Sequence, residues 1–534
     1  MRSVVLAWPT RRGLVVVAVV CLVPAAAAAE VLHVDARAPD KGDGSAAKPL
    51  RSIKAALKKA DNGVEIRVAE GGYSGTIELD WMSGGRELRV VGGFPGATTA
   101  DYAAGKPGDF AAPKPGAHST LRASEGKPVV NVKVVETDTS SRVELVGMEL
   151  TGGQGVMSVN KWRGGAIYMP GGKLVLRDCV VVKNTAYPPG TDEDGRGRSE
   201  GGGLYAAADV EITGTTFEGN RAGRGGAMRT QGKLALSASR IVDNHGDGDH
   251  GGGVIASGDV TLTGNVFTRN VIGDLAGYGW GGGLVVTGAG TKGTLSWNTY
   301  FDNGAPTKGS GVFIDDEATV ALSHELVYAN RCGKDGGSAV YVDGYEPGHG
   351  SAATIDRSTI ARHPCVHGEG NGVLAETEAK VTITRSIVWD VGKKPFAESK
   401  DGKITVDAET TVDPQFADPA AGDFHLRAAC RWDGKAWVDD GVKNALVAAA
   451  AGEPGAYGDS AEASAAAACP GKAAPGPRFP PPPPLALGAP VAAKKGGGLG
   501  GCTVAPGVRA GGSNAGLVLV VLCALVLSRR RHVA

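Results

Sequence analysis

The sequence predicts an all-β protein, a single-stranded right-handed parallel β-helix with an N-terminal capping helix. Three observations carry that expectation. A glycine pair followed by a small and an apolar residue recurs along the chain: "GGAI" from Gly164, "GGGL" from Gly201, "GGAM" from Gly225, "GGGV" from Gly251 and "GGGL" from Gly281. Weaker copies follow as "GSGV" from Gly309, "GSAV" from Gly337 and "GNGV" from Gly370. Each of the first copies is followed by an Asn, namely Asn184, Asn220, Asn244, Asn270, Asn303 and Asn330, at spacings of 20, 19, 19, 19, 22 and (from the Gly309 copy) 21 residues. His363 and Asp390 take that place in the last two copies. Inside each unit apolar residues alternate in short runs such as "VEIT" then "TTFEGN", and "VTLT" then "NVFTRN". Period-2 alternation in Val, Ile, Thr and Phe reads as short strands with one buried face. A repeat of two to three dozen residues with three such pieces suits one turn of a coil, whose rungs stack about 4.8 Å apart.

The residue types follow from that geometry. Glycine permits a left-handed corner and a close approach of successive rungs. An Asn repeated at one corner tolerates a left-handed backbone, and stacked on its neighbours it can form a side-chain amide ladder. Phe217, Ile241 and Phe267, each three residues before its Asn, are expected to form one interior column. Near the start, Ile53, Ala56, Leu57 and Ala60 share one face of a short helix suited to cap the open end of the coil.

Four segments divide the 534 residues. Residues 1–29 read as a secretory signal peptide: Arg2, Arg11 and Arg12 precede the apolar run Leu14–Val23, with small residues up to a cleavage point between Ala29 and Glu30. Residues 30–460 form the coil. Residues 461–501 are a Pro/Gly/Ala-rich spacer, densest from Gly471 on and containing five consecutive prolines. Residues 502–534 carry Cys502, thirteen apolar residues from Ala515 to Leu527, and Arg529, Arg530 and Arg531. The apolar run is shorter than the ~20 residues that span a bilayer comfortably, and the arginines favour cytoplasmic retention of that end. Formal charge is zero, from 56 basic and 56 acidic residues, so no electrostatic footprint for nucleic acid is present. An exported monomer follows, tied to a membrane or cell surface through its C-terminal segment.

Several motifs resemble known families. "GGAI" paired with "FEGN" or "FTRN" resembles the repeat of chlamydial polymorphic outer membrane proteins. The stretch "DGSAAKPLRSIKAALKKADNGVEIRVAEGGY" is similar to the opening of pectate-lyase-like β-helix domains, and "TVDPQFADPAAGDFHL" to their last rung. The order Cys, short apolar helix, Arg cluster resembles MYXO-CTERM sorting signals, which implies processing near Cys502 and attachment at the cell surface. "GHG" at Gly348–Gly350, preceded by Asp315 and Asp316, resembles a polygalacturonase element, but that family's Asn-Thr-Asp and Arg-Ile-Lys elements are missing. The fold itself hosts lyases, hydrolases, adhesins and inert spacers.

Candidate functional residues lie in the loops between each Asn and the next glycine pair, whose lengths are 16 (185–200), 4, 6, 10, 5, 6 and 6 residues. Stacking gathers these loops on one edge, where Asp192, Asp194, His245, Asp247, Asp249, His250, Tyr278 and Trp280 are the side chains to watch. No cofactor is called for, although acidic, Gly-rich loops such as "HGDGDH" can supply hard oxygen ligands to Ca²⁺. Solvated corner loops are the simpler account, and no residue is assigned to catalysis. Cys332 and Cys365 follow Asn330 and His363 by two residues each. Equivalent positions on consecutive rungs fall within the Cα range of about 4.4–6.8 Å that a disulfide needs, which predicts a Cys332–Cys365 bridge. Cys430 and Cys469 make a weaker second pair, and Cys179 has no evident partner. The leading reading is a non-catalytic adhesin, envelope component or glycan-contacting surface protein. The alternative is an extracellular lyase or glycoside hydrolase acting on uronate polymers.

Overall fold

The computed structural model describes residues 4–10, 13–19, 30–273, 278–331, 338–363, 371–392, 394–407, 414, 416–419, 422–426, 430–432 and 437–439. The chain divides into Met1–Pro484 and Leu485–Ala534, and all of these residues lie in the first unit. Cys332, Cys365, Cys469, Cys502, the spacer and the apolar run 515–527 lie outside the described residues. Within the stretch read as a signal peptide, Val4–Thr10 pairs antiparallel with Gly13–Val19 as a two-stranded sheet.

Three parallel sheets run the length of a right-handed coil. The first has 13 strands, from Val31–Val34 to Lys403–Val406, and the second and third have 11 each. One rung shows the pattern: Asp209–Thr213 in the first sheet, Thr216–Glu218 in the second, then Met228–Thr230 in the third. Successive side chains of a strand face opposite sides, and in this rung Val210, Ile212, Phe217 and Met228 point inward at 3% exposure or less. No rung can bury these residues alone; the neighbours above and below complete the core. The expected column is present: Phe217 pairs in register with Ile241, and Ile241 with Phe267, all three fully buried. It continues through Tyr300, whose ring stacks on Phe267 at 4.8 Å. Full burial of each such side chain is worth roughly 2–3 kcal/mol.

The first helix, Ile53–Lys59, closes the N-terminal end. Ser52 caps it by accepting from the Ala55 N–H, and Ile53 and Ala56 pack on the first core strands, with Leu57 and Ala60 beside them.

The Asn corner forms the amide ladder the repeat suggested. Asn184 Nδ2 donates to Asn220 Oδ1 at 3.0 Å, and the pattern repeats through Asn244, Asn270, Asn303 and Asn330 at 2.9–3.0 Å. Each receiving Oδ1 also accepts the backbone N–H of the Asn one rung earlier, as from Asn220 to Asn244 at 3.0 Å. The left-handed residue is not the Asn, however, but the one before it. Lys183, Gly219, Asp243, Arg269, Asp302, Ala329 and Arg362 have φ between 47° and 61°. This also corrects the last copy: Asp390 is the left-handed residue (φ 52°), and buried Val391 holds the place of the Asn. His363 does hold that place and bonds the Val327 carbonyl through Nε2 at 3.3 Å.

A second polar column lies at the corner between the first and second sheets. Cys179, Thr215, Ser239, Asn265, Asn298, Glu325, Ser358 and Ser386 succeed one another there, each buried. The N–H of each bonds the side chain of the next, from Cys179 to Thr215 Oγ1 at 3.3 Å through Ser358 to Ser386 Oγ at 3.0 Å. Cys179 is a free, buried thiol.

The glycine corners are required by contact. At Gly251 (φ 69°) the loop crosses over its own third-sheet strand, and a Cβ would lie 2.2 Å from Ile255 Cγ1. At Gly226 a Cβ would lie 2.3 Å from the Gly252 carbonyl of the next rung.

The C-terminal stretch departs from expectation. The segment read as a last rung is an antiparallel hairpin, Phe416–Asp418 with Asp423–Leu426. Phe416 and Phe424 pack outside the coil, against Phe301, Leu326, Tyr328, Ala361 and Ile387 on the outer face of the second sheet. Those outward-facing apolar residues draw the chain back instead of letting it wind on. Cys430–Trp432 and Trp437–Asp439 form another antiparallel pair.

Candidate functional site

The residue before each glycine pair sits at the same point of every rung. Bridges run from Arg163 to Glu200 to Arg224, and from His250 to Trp280 to Lys308. These side chains form a ridge over the outward residues of the third sheet. Arg163 lies over the Tyr205 ring at 4.5 Å, and Lys308 over Tyr341 at 5.2 Å. Between them His250 stacks on Trp280 (5.1 Å, 30°), and Tyr278 meets Trp280 edge-on (5.4 Å, 62°). Tyr278 keeps 43% of its surface exposed.

Four of the residues singled out in the sequence, Asp249, His250, Tyr278 and Trp280, therefore come together here. The Asp249 carboxylate receives Arg224 Nε and Nη2, both at 2.6 Å, and His250 Nδ1 lies 3.0 Å from it. Burial alone would raise this carboxyl; His250 and Arg224 outweigh it and hold it well below the usual range. Asp247 and His245 lie one step away, where Arg221–Ala222, His245–Gly246 and Val271–Ile272 form a short third-corner sheet. Asp247 is fully buried and accepts from Tyr187 Oη (2.5 Å) and from Arg221 Nε (2.8 Å) and Nη2. His245 Nε2 is 3.4 Å from Asp247 Oδ1. Both loop carboxylates are thus engaged by arginines, and among the described residues no group of three or more His, Cys, Asp or Glu is arranged to hold a metal ion.

Asp192 and Asp194 stand apart. Asp192 precedes and Asp194 lies within a five-residue helix, Glu193–Gly197, inside the long 185–200 loop. Asp192 caps it by accepting the Gly195 N–H at 2.8 Å, and Asp194 pairs with Arg198 on its exposed side.

An acidic column was missed in the sequence. Asp315, Asp343 and Glu376 occupy one register position at the C-terminal ends of the third-sheet strands, Asp315 as the last residue of Val312–Asp315 and the other two just after Val340–Val342 and Val373–Ala375. The Tyr341 hydroxyl joins Asp343 to Glu376, the latter at 2.6 Å, and Lys308 and Ser399 complete the Glu376 shell. Burial would raise the Glu376 carboxyl, but Lys308, Ser399 and Tyr341 outweigh it and bring it down to about 2. Asp315 goes the other way: burial pushes it up to about 7, with nearby Asp343 adding to the rise and His250 opposing it. The signal was present in the repeat, since "GSGVFID", "GSAVYVD" and "GNGVLAE" align their final acids.

The "GHG" element lies in the loop that follows Val340–Val342, off the strands, and folds onto the preceding rung. His349 Nδ1 lies 2.6 Å from Glu317 Oε1, beside Asp316. The Glu317 hydrogen bond and charge raise this exposed imidazole above its ordinary value.

A family described as "Disaggregatase related" matches residues 366–450, which include the last third-sheet strands and the hairpins that follow. No curated protein matches the chain. Among solved structures, pectate lyase Pel9A is similar over 72% of this chain and 79% of its own, at 11% identity and a TM-score of 0.28. That identity transfers no residue role.

Proposed function

We propose that the protein is an exported, surface-attached β-helix that contacts a glycan through the ridge along its third sheet. The observation that carries this reading is the half-exposed Tyr278–Trp280 pair beside the Arg224–Asp249–His250 array. An aromatic face packs against the C–H face of a sugar ring, and fixed charge-paired groups beside it hydrogen-bond hydroxyls. Backbone bridges place the ridge residues, and the His250–Trp280 stack and the Arg224–Asp249 pair hold their side chains, so little order has to be imposed on binding. The N-terminal apolar run and the Cys502–Arg531 segment supply export and attachment in this reading, and the disaggregatase-related match accords with a surface- or polysaccharide-related protein. A glycan-array screen tests it, with Tyr278→Ala and Trp280→Ala expected to abolish the strongest signals. A wild-type chain that binds no glycan overturns it.

A hydrolase acting on polysaccharide is the second reading, favoured by the acidic column. Asp315, raised to about 7, keeps a sizeable protonated fraction at neutral pH while Glu376 is ionised, the division of labour an acid and a base require. They stand two rungs apart, a backbone separation of about 9.6 Å along the stack, wider than the roughly 5–5.5 Å carboxyl spacing of retaining glycosidases and so on the side of an inverting arrangement. Reducing ends released from a polysaccharide by the wild type, and lost in both Asp315→Asn and Glu376→Gln, would establish it over the binding reading.

A further inference from the structure

The long 185–200 loop borders an open recess of about 420 Å³ beside the Asn corner. Its walls include Gln154, Thr185, Tyr187, Pro188, Arg196 and Arg221, and no Asp or Glu lines it. The loop is held in place from beneath. Tyr187 is 8% exposed, and its hydroxyl accepts Arg221 Nε (3.0 Å) while donating to buried Asp247. The Pro188–Pro189 step that follows is stiff by construction, and Arg196 Nη1 ties the loop to itself through the Thr191 carbonyl at 3.1 Å. The recess is therefore formed before any ligand arrives.

Its hydrogen-bonding capacity is one-sided. Arg221 spends Nε and Nη2 on Asp247 and Tyr187, which leaves Nη1 uncommitted among the described residues. Arg196 spends only Nη1, and Gln154 uses its oxygen on the Gly126 N–H, keeping its amide donors. Two guanidiniums and an amide with uncommitted donors thus stand among the lining residues, which include no carboxylate. The short helix on the loop and its cap carry Asp192, Glu193 and Asp194, all three exposed to solvent and none lining the recess; Asp194 pairs with Arg198. The prolines and the Tyr187 ring supply the apolar side.

We propose that this recess binds the acidic substituent of a saccharide, a carboxylate or a sulfate ester, with the sugar ring against Pro188 and Pro189. The proposal rests on the glycan-contact reading above and adds to it a charge-selective subsite beside the ridge. Guanidinium groups recognise either oxyanion by charge-assisted, often bidentate hydrogen bonds, and a volume of this size admits one or two sugar units.

Calorimetric titration of the whole exported chain with glucuronic acid, with a 6-sulfated hexosamine and with glucose tests it. Saturation by at least one acidic sugar and none by glucose is expected, and the sugar that saturates identifies the oxyanion. Arg196→Gln should weaken that binding about tenfold, since it removes a charge-assisted bond. Arg221→Lys keeps a cation on buried Asp247, so the fold is retained, and should weaken binding by a similar factor. Equal affinity for glucose, no saturation by either acidic sugar, or unchanged affinity in Arg196→Gln would each overturn the proposal. The two readings fail separately: polymer binding that depends on Tyr278 without saturation by acidic sugars leaves the ridge and removes the recess.

Discussion

At the corner after the second sheet one side chain recurs from Asn184 to Asn330, whereas at the corner before it Cys, Thr, Ser, Asn, Glu and Ser succeed one another. Both columns are buried, and both follow a left-handed residue on nearly every rung. The shared requirement is a single side-chain acceptor for the N–H of the preceding rung, which the left-handed turn would otherwise leave unpaired in the interior. The Asn corner asks for more. Asn244 Nδ2 also donates to the Phe217 carbonyl of the rung before, at 2.9 Å, so the residue must be donor and acceptor together. At the other corner Asn265 and Asn298 make the same donation, to the Leu236 and Leu262 carbonyls. Thr215, Ser239 and Ser358 instead donate to the carbonyl two residues back in their own rung, so a hydroxyl suffices there and the identity drifts.

Breaking the uniform column should cost most. Asn244→Ala removes the acceptor for the Asn220 amide and backbone N–H, and the donor to Phe217 and Asn270. Several buried groups lose partners at once, and a loss of about 3–4 kcal/mol in chemical denaturation is expected. The mixed column holds the opposite case. Glu325 accepts from the Asn298 N–H at 3.2 Å and Nδ2 at 3.1 Å, beside the Tyr300 hydroxyl, and burial drives its carboxyl up to about 8 against those hydrogen bonds. A carboxyl raised in the folded state binds its proton more tightly there than when unfolded. Its contribution is therefore whole below the ordinary glutamate range, falls as pH rises from about 4.5 to about 8, and is flat beyond. Glu325→Gln keeps the acceptor without the titration. It should stabilise the protein by on the order of 2 kcal/mol at neutral pH and flatten the pH profile in that window; equal pH slopes for both proteins would refute the assignment.

Smaller changes sharpen the contrast. Ser239→Ala removes one acceptor, for the Thr215 N–H at 3.1 Å, and should cost about 1 kcal/mol by the same measurement. Ala238, at φ 48°, occupies a left-handed position that Gly214 and Gly264 fill on adjacent rungs. Ala238→Gly should stabilise by roughly 0.5 kcal/mol, relief of strain exceeding the added freedom of the unfolded chain.

The same contrast explains what the sequence made legible. The coil, the interior column at Phe217, Ile241 and Phe267, and the Asn ladder were readable because like residues meet like surroundings on each rung, and the capping helix because Ile53, Ala56, Leu57 and Ala60 fall at helical spacing. The mixed column escaped because Cys179, Thr215 and Glu325 share a task without sharing a side chain. The hairpin at Phe416–Leu426 escaped because its partner is the outer face of the second sheet, a surface that exists only once the coil has formed. Of the candidate site, His250, Tyr278 and Trp280 were found from loop position alone. The acidic column was not: Asp315 stands out in the sequence only beside the "GHG" element, and Asp343 and Glu376 follow the weaker glycine copies, where the acid appears in only three rungs and alternates between Asp and Glu.

The amide ladder also sets the terms on which the molecule can change length. A segment from one Asn to the next carries a strand for each sheet, both corners and its own loop, and presents the same acceptor below and donor above. Duplicating or deleting such a segment leaves the hydrogen-bond chain continuous, while a change by any other number of residues interrupts it. Loops can thus be exchanged as cassettes on a scaffold that accepts alterations only in whole steps of about 4.8 Å.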